Sequence, residues 1–131
     1  MDLSRITAQV VSISKEVKAF IHEHRNQVSA NQVELKSLNS LVSFVDKTAE
    51  ERLVKGLREI LPEAGFIAEE GTETRKGERY NWIVDPLDGT TNFLHGIPVF
   101  AISIALMDGD EVVMGMVWEI GQDECFTAWK G

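Results

Sequence analysis

The sequence predicts an α+β fold in which two N-terminal helices pack on one face of a mostly antiparallel sheet. Apolar residues recur at helical spacing in the first half of the chain. The second half carries β-type apolar runs separated by turn residues. Helices that precede a series of strands are typical of α+β domains. The 131 residues are enough to bury a core, so we expect one domain over 1–131.

The first predicted helix has one apolar face, on which residues recur every three or four positions: Leu3, Ile6, Val10, Ile13, Val17 and either Phe20 or Ile21. This pattern ends in the polar run 26–31, and we expect a loop rich in Ser and Asn to follow. The second helix is predicted to begin near residues 46–48, because Thr48 and Glu51 have the spacing of a capping box. Pro62 and Gly65 are expected to end it.

Two strands are expected in the middle of the chain. Residues 66–68 are short and apolar, and the charged, glycine-containing stretch 72–79 predicts a mobile loop or hairpin turn. Residues 80–84 predict a buried strand. Pro86 is expected to end that strand, because proline cannot donate to a sheet ladder.

The last third of the chain predicts a β-meander. Long β-type runs at 99–107 and 111–120 are joined by Asp108-Gly109, a pair that favours a type I′ hairpin turn. Residues 121–123 predict another turn, and 124–129 predict a final strand at the edge of the sheet. An exposed edge strand can pair with another chain unless something covers it.

Composition and charge disfavour two classes of partner. The chain has 21 acidic and 13 basic side chains and a formal charge of −8, which disfavours nucleic acid and anionic membranes. No apolar run approaches the length of a membrane span or a signal-peptide core, so the chain is expected to be cytoplasmic. A single cysteine, Cys125, allows no internal disulfide, and its apolar surroundings predict a place in the core.

A pair of carboxylates follows the predicted strand 80–84. Asp85 and Asp88 lie three residues apart and could face one ion, although Asp, Pro and Gly are also the commonest turn residues. A carboxylate that closes a buried strand needs a partner to offset its desolvation, and a metal would provide one. With Glu69 and Glu70 just upstream, several hard oxygen ligands could converge, which suits Mg²⁺.

The residues after Asp88 could bind a phosphate. Gly89 permits close backbone approach, and the amides that follow can surround phosphate oxygens. The Thr90 hydroxyl could orient a water molecule, but a structural helix cap is an equally good interpretation. For His95, which lies among apolar residues, packing is favoured over acid catalysis.

Three segments together resemble the inositol monophosphatase family. The most specific is residues 85–98, Asp-Pro-Leu-Asp-Gly-Thr-Thr-Asn-Phe-Leu-His-Gly-Ile-Pro. Residues 66–70 resemble the family's upstream acidic motif, and residues 41–46, with Lys36 before them, resemble an earlier loop. The resemblance covers essentially the whole chain but only about the first half of a typical member. It implies the N-terminal part of the layered αβαβα sugar-phosphatase fold.

The resemblance implies Mg²⁺-dependent, lithium-sensitive hydrolysis of a small phosphorylated polyol or sugar, typically inositol 1-phosphate. It further implies that Glu69, Asp85 and the Leu87 carbonyl hold a first Mg²⁺ and that Asp85 and Asp88 contribute to a second. Glu69 and Asp88 would then also lie beside the substrate. Glu70 is a possible accessory ligand.

The same resemblance assigns the attacking water to Thr90, held by Asp46, and the phosphate to the Gly89 and Thr90 amides. Lys36 would lie near the water and the metals. Two cations would neutralise the phosphate and lower the pKa of a bound water, so no covalent intermediate is required.

The sequence departs from the family's pattern at two points. The later Trp-Asp motif, which supplies another metal ligand and contacts to the inositol ring, does not occur here. We therefore expect this chain alone to be nearly inactive. Ser40 stands where many relatives have an acidic or amide residue.

Two alternatives to an inositol phosphatase stay open. The related fructose 1,6-bisphosphatases and 3′,5′-bisphosphate nucleotidases share the Asp-Pro-Leu-Asp-Gly-Thr motif. A non-catalytic module could instead bind a protein partner through the final strand or the first helix. The family resemblance also suggests that the full-length protein is a homodimer.

Overall fold

Two helices precede five strands in the chain. The computed structural model describes residues 1–30, 35–68, 76–90 and 100–131, with the backbone alone at 26–30, 35–39 and 68. In chain order, the elements are α1 (Leu3–Ala30), α2 (Leu35–Ile60), β1 (Gly65–Ala68), β2 (Tyr80–Asp88), β3 (Ala101–Asp108), β4 (Glu111–Glu119) and β5 (Glu124–Trp129). Neither helix, over its described residues, is long and apolar enough to cross a membrane.

The five strands form one sheet in the order β1-β2-β3-β4-β5. β1 runs parallel to β2, and every other neighbouring pair is antiparallel. The predicted class, two helices on a mostly antiparallel sheet, is therefore confirmed. Because β1 and β2 are parallel, a tight hairpin does not join them directly. Residues 72–75 of the predicted loop or hairpin turn lie outside the described residues.

The core lies between the helices and one face of the sheet. Apolar side chains of α1 and α2 meet the inward-facing residues of the strands, and those with no exposed surface include Val10, Ile21, Val45, Leu53, Leu57, Trp82, Ile102 and Leu106. The opposite face of the sheet carries apolar side chains that remain exposed: Ile67, Ile83, Val117 and Phe126. The side chains on one face of the sheet are thus buried against the helices, and those on the other face are exposed.

The second helix begins earlier than the capping pattern predicts. It starts at Leu35, so the predicted Ser- and Asn-rich loop is partly helix and Thr48 lies inside α2 rather than at its cap. Val42, Val45 and Ala49 are buried at helical spacing, and they extend the apolar stripe toward the N-terminus. This packing outweighs the weak helix propensity of the intervening Ser and Asn residues.

The central strand β2 continues past Pro86, where the sequence predicts its end. Asp85 pairs with Ser103 and Asp88 pairs with Ala101, so two residues of β2 stand opposite one residue of β3. Pro86 lies in this β-bulge. A bulge tolerates proline because the ladder is locally interrupted there.

The predicted hairpin between β3 and β4 is confirmed, but its turn is shifted by one residue. Asp108 still pairs with Glu111, and Gly109 and Asp110 form the turn. Gly109 has a φ of 61°, whereas Asp110 is not among the described residues with positive φ. A positive φ at the first turn residue alone is typical of a type II′ turn, so the type I′ prediction is wrong.

The final strand lies at the edge of the sheet, as the sequence predicts. All six residues of β5 are exposed. Cys125 is among them, so its predicted place in the core is wrong. Strand-like apolar sequence alone does not distinguish an edge strand from a central one. Partial desolvation raises the pKa of the Cys125 thiol, which keeps it protonated at neutral pH.

The turn before β5 is attached to α1 by Asp123. One carboxylate oxygen, Oδ1, accepts hydrogen bonds from Lys18 Nζ at 2.8 Å and from Trp118 Nε1 at 2.9 Å. Lys18 also lies over the Trp118 ring, 4.6 Å from its centroid. These contacts satisfy three side chains in one cluster and connect α1 to the end of β4.

We expect this attachment to be released by acid. The hydrogen bonds from Lys18 and Trp118 lower the pKa of Asp123 below its ordinary value of 3.8. A lowered pKa in the folded state means that the carboxylate stabilises the fold above the unfolded value and that this contribution is lost as pH falls through the folded value. The Trp118 indole N–H resonance should therefore shift below pH 3.8. Asp123→Asn should remove that titration, whereas Asp110→Asn should retain it.

Candidate functional site

The C-terminal end of β2 holds the two aspartates of the motif. Asp85 is half-buried beside the bulge, and Asp88 is exposed. Asp85 Oδ1 accepts a hydrogen bond from the Leu87 backbone N–H at 3.3 Å. Side chains of a strand normally alternate between the two faces of the sheet, and the bulge interrupts that alternation. Asp85 and Asp88 can therefore lie on the same face although they are three residues apart.

The chain turns sharply after Asp88. Gly89 has a φ of 91°, a conformation that residues with a side chain rarely adopt. Thr90 Oγ1 then donates a hydrogen bond to the Leu87 carbonyl oxygen at 3.0 Å, which closes the turn. The hydroxyl oxygen keeps lone pairs that can accept another hydrogen bond. Both interpretations of Thr90, water orientation and capping, remain compatible with this geometry.

The parallel pairing of β1 with β2 determines which end of the sheet the chain reaches when it leaves β1. Ala68 stands in register with Val84, the residue before Asp85. Parallel strands end at the same edge of a sheet, so the chain leaves β1 beside the start of the Asp85 motif. Antiparallel pairing would have directed that segment to the other end of β2.

Asp46 lies on α2, the helix that packs against β2. Its exposed fraction is 7%, which is unusual for a carboxylate. Glu50, one turn later, is fully buried. Sequence inspection did not single out Glu50. The available signal was its position four residues after Asp46, on the same face of the helix.

The other predicted site residues lie outside the described side chains. These are Glu69, Glu70, His95 and the side chain of Lys36. The structure thus brings together Asp85, Leu87, Asp88, Gly89 and Thr90 at one strand end. Over the described ranges there is no cluster of three or more His, Cys, Asp or Glu side chains able to hold a metal.

The donor atoms at this strand end nevertheless fit a hard cation. Asp85 and Asp88 supply carboxylate oxygens, and the Leu87 carbonyl has a lone pair beyond the one that accepts the Thr90 hydroxyl. Oxygen donors without nitrogen or sulfur suit Mg²⁺ or Ca²⁺. Mg²⁺ commonly retains several waters and takes only one or two carboxylates from the protein.

Comparison with known proteins gives matches to one protein family. The model of the inositol monophosphatase family matches residues 2–131. An inositol-1-monophosphatase of Rhizobium meliloti (strain 1021) is 41% identical over 127 residues, which make up 96% of this chain and 47% of that protein. A protein of Aquifex aeolicus named fructose-1,6-bisphosphatase/inositol-1-monophosphatase is 35% identical over 111 residues, 85% of this chain and 42% of that protein.

A solved structure gives the same picture. The extragenic suppressor protein suhB of Bartonella henselae matches with a TM-score of 0.82 and 35% identity, over 97% of this chain and 49% of that chain. This chain therefore spans about half the length of the relatives that it matches. The similarity covers the whole described fold and both aspartates of the β2 motif.

Proposed function

The chain belongs to the inositol monophosphatase family, and on that premise we propose that the full-length protein hydrolyses a small phosphate monoester. The first candidate is inositol 1-phosphate, which would give inositol and phosphate. The observation that carries the proposal is the end of β2, where two carboxylates are followed directly by a turn with positive φ at Gly89. Cation ligands and amide donors are thereby adjacent in the chain.

Mg²⁺ is the proposed cofactor. Asp85, Asp88 and the Leu87 carbonyl would hold it together with Glu69, and Glu70 is a possible accessory ligand. When bound, Mg²⁺ would neutralise phosphate charge and lower the pKa of a coordinated water. The register of Ala68 with Val84 supports the participation of Glu69, because it directs the chain after β1 toward this end of the sheet.

The remaining proposed groups would orient the attacking water or bind the phosphate. Thr90 would orient the attacking water through its hydroxyl oxygen, with the buried carboxylate of Asp46 as its partner across the α2·β2 interface. Since the Thr90 hydroxyl donates to Leu87 here, this role requires that hydroxyl to rotate. The Gly89 and Thr90 amides would bind phosphate oxygens, with Glu69 and Asp88 beside the substrate. Lys36 would lie near the water.

A bisphosphate substrate is the second candidate. The name of the Aquifex aeolicus relative includes fructose-1,6-bisphosphatase activity, and that relative is similar over the same motif-bearing half. The residues that choose between inositol 1-phosphate, fructose 1,6-bisphosphate and 3′,5′-bisphosphate nucleotides would lie on the substrate side of the site. We propose the inositol type because residues 91–95, Thr-Asn-Phe-Leu-His, resemble that branch of the family.

Family membership supports three further proposals. The full-length protein is expected to be cytoplasmic, to be inhibited by lithium and to form a homodimer. The net charge of −8 favours neither nucleic acid nor anionic membrane as a direct partner. This chain alone is expected to be nearly inactive, because it covers less than half the length of its relatives and would lack one ligand of a two-metal site and much of the substrate pocket.

The test is phosphate release from inositol 1-phosphate by this chain, measured with Mg²⁺, with lithium added, and beside an intact mass measurement. We expect turnover at the background level together with Mg²⁺ binding that is lost in Asp85→Asn. Turnover suppressed by lithium would support the phosphatase site but overturn the expected inactivity. Absence of both turnover and Asp85-dependent Mg²⁺ binding would contradict the proposed function.

A further inference from the structure

Ser103 of β3 stands across the sheet from Asp85. The two residues are paired in the register of β2 with β3. Along β3, Ile102, Ile104 and Leu106 are buried against the helices, so Ser103 lies on the opposite, open face of the sheet, where it is half-buried. Residues that are paired across two strands share a face. The side chain of Asp85 therefore lies on the open face as well.

The spacing of Asp85 and Ser103 follows from one backbone hydrogen bond. The Gly109 N–H donates to the Arg79 carbonyl oxygen at 2.8 Å, as in a hydrogen-bonded pair of an antiparallel ladder. Such pairs recur at every second residue, and the register is unbroken from Tyr80 to Asp85, so Asp85 and Ser103 are also a hydrogen-bonded pair. Their Cα atoms are then about 5.5 Å apart. At this spacing, a serine hydroxyl can reach a carboxylate across the strands.

The other direct neighbours of Ser103 on the open face are apolar. They are Ala101 and Ala105 along β3 and Val117 across on β4. Alanine on either side shows that a small side chain suits this face without a hydroxyl. A half-buried hydroxyl among apolar neighbours is costly unless it has a hydrogen-bond partner. Asp85 is the one direct neighbour of Ser103 on this face that offers such a partner.

The Ser103 hydroxyl is available for this contact. Within the described ranges, it takes part in no hydrogen bond, and rotation about a single side-chain bond directs it. The diagonal neighbour Glu119 is occupied, because its two carboxylate oxygens accept hydrogen bonds from the Gly121 and Gln122 N–H groups at 3.0 and 2.6 Å. Asp85 is thus the nearer and less committed acceptor.

We propose that Ser103 is a positioning residue of the metal site: its hydroxyl donates a hydrogen bond to the Asp85 carboxylate and holds that carboxylate in the orientation that binds Mg²⁺. The inference rests on the proposed function, in which Asp85 is a ligand. Carboxylates that bind metals are themselves hydrogen-bonded, and these partners fix the orientation of the ligand. The Leu87 N–H supplies one such bond to Asp85 from within β2, at 3.3 Å. Ser103 supplies a second from β3.

Titration of Mg²⁺ into the chain tests this role. Ser103→Ala should weaken Mg²⁺ binding about tenfold, because losing a group that supports a metal ligand commonly costs about 10–100-fold in affinity. Ser103→Thr keeps the hydroxyl on a residue that suits a strand, so it should bind Mg²⁺ as the natural chain does.

The matched control moves the hydroxyl by one pair. Ser103→Ala combined with Ala105→Ser keeps a serine on the open face of β3 but places it opposite Ile83 instead of Asp85. This double variant should bind Mg²⁺ as weakly as Ser103→Ala alone. Circular dichroism would verify that each variant is folded.

Urea denaturation separates positioning from a merely structural role. Without Mg²⁺, Ser103→Ala should have nearly the same free energy of unfolding as the natural chain. Bound Mg²⁺ stabilises the fold by an amount that grows with its concentration relative to Kd, so at one fixed Mg²⁺ concentration the variant should gain less stability. A structural role would lower the stability equally with and without Mg²⁺.

Three results would overturn the inference and leave the proposed function standing, provided that Asp85→Asn still loses Mg²⁺ binding. The first is equal Mg²⁺ affinity in Ser103→Ala and Ser103→Thr. The second is restored binding in the variant with serine at position 105. The third is a loss of stability in Ser103→Ala that is the same with and without Mg²⁺. If the natural chain shows no Mg²⁺ binding that depends on Asp85, the proposed function and this inference both fail.

Discussion

Asp85→Asn should reduce the Mg²⁺ affinity of the chain at least tenfold. Asp85 is the residue assigned to both proposed metal positions, and it lies half-buried at the bulge where β2 ends. The substitution keeps the size of the side chain but removes the charge that a hard cation needs. Loss of groups that merely support a metal ligand commonly costs about 10–100-fold, so loss of a ligand should cost about as much or more.

The measurement is isothermal titration of Mg²⁺ into the chain and into two variants. Asp110→Asn is the matched control, since it makes the same chemical change at an exposed turn on a different part of the sheet. The control should bind Mg²⁺ as the natural chain does. Equal loss in both variants would show that Mg²⁺ responds to net charge rather than to a site at Asp85.

Trp82→Ala should cost about 3–5 kcal/mol in free energy of unfolding. Trp82 has no exposed surface and stands in register with Phe66 of β1 and Leu106 of β3. Removing the indole leaves a cavity between the sheet and the helices that neighbouring side chains fill only in part. A loss of this size is a large fraction of the stability of an ordinary domain.

Urea denaturation followed by circular dichroism would measure this effect. Ile83→Ala is the matched control, because Ile83 is the next residue of β2 and points to the open face, where it is 38% exposed. The control should lose much less stability than Trp82→Ala. Similar losses at both positions would mean that the open face is covered in solution, in contrast to the described fold.

Hydrophobic patterning and turn residues are local properties of the sequence, and they predicted β1, the β3–β4–β5 meander and the first helix except for its C-terminal end. The polar run 26–31 was expected to end that helix, but α1 continues to Ala30. The start of α2 was not predictable in this way. Residues 35–45 contain three Ser residues and one Asn, and their helical state depends on burial of Val42 and Val45 against the rest of the core. The exposure of Cys125 was not predictable from local sequence either, because the order of the strands decides whether a strand lies at the edge of the sheet or in its centre.

Part of the candidate site was likewise predictable from local sequence, and part depends on which strands become neighbours. Asp85, Asp88, Gly89 and Thr90 were predictable because they are contiguous and carry their own turn chemistry. Their relation to the segment after β1 depends on parallel pairing of β1 and β2, which the local sequence did not reveal. The bulge at Pro86 also required the structure, since the sequence alone predicted that proline would end the strand.

The proposed phosphatase site requires that a metal and a phosphate meet at the end of β2. An NMR titration of the Gly89 and Thr90 amides with inorganic phosphate, in the presence and absence of Mg²⁺, would detect that meeting. We expect phosphate to shift both amides only when Mg²⁺ is present, and we expect Asp85→Asn to abolish the response. Phosphate shifts that are absent, or that are unchanged in Asp85→Asn, would contradict the proposed site.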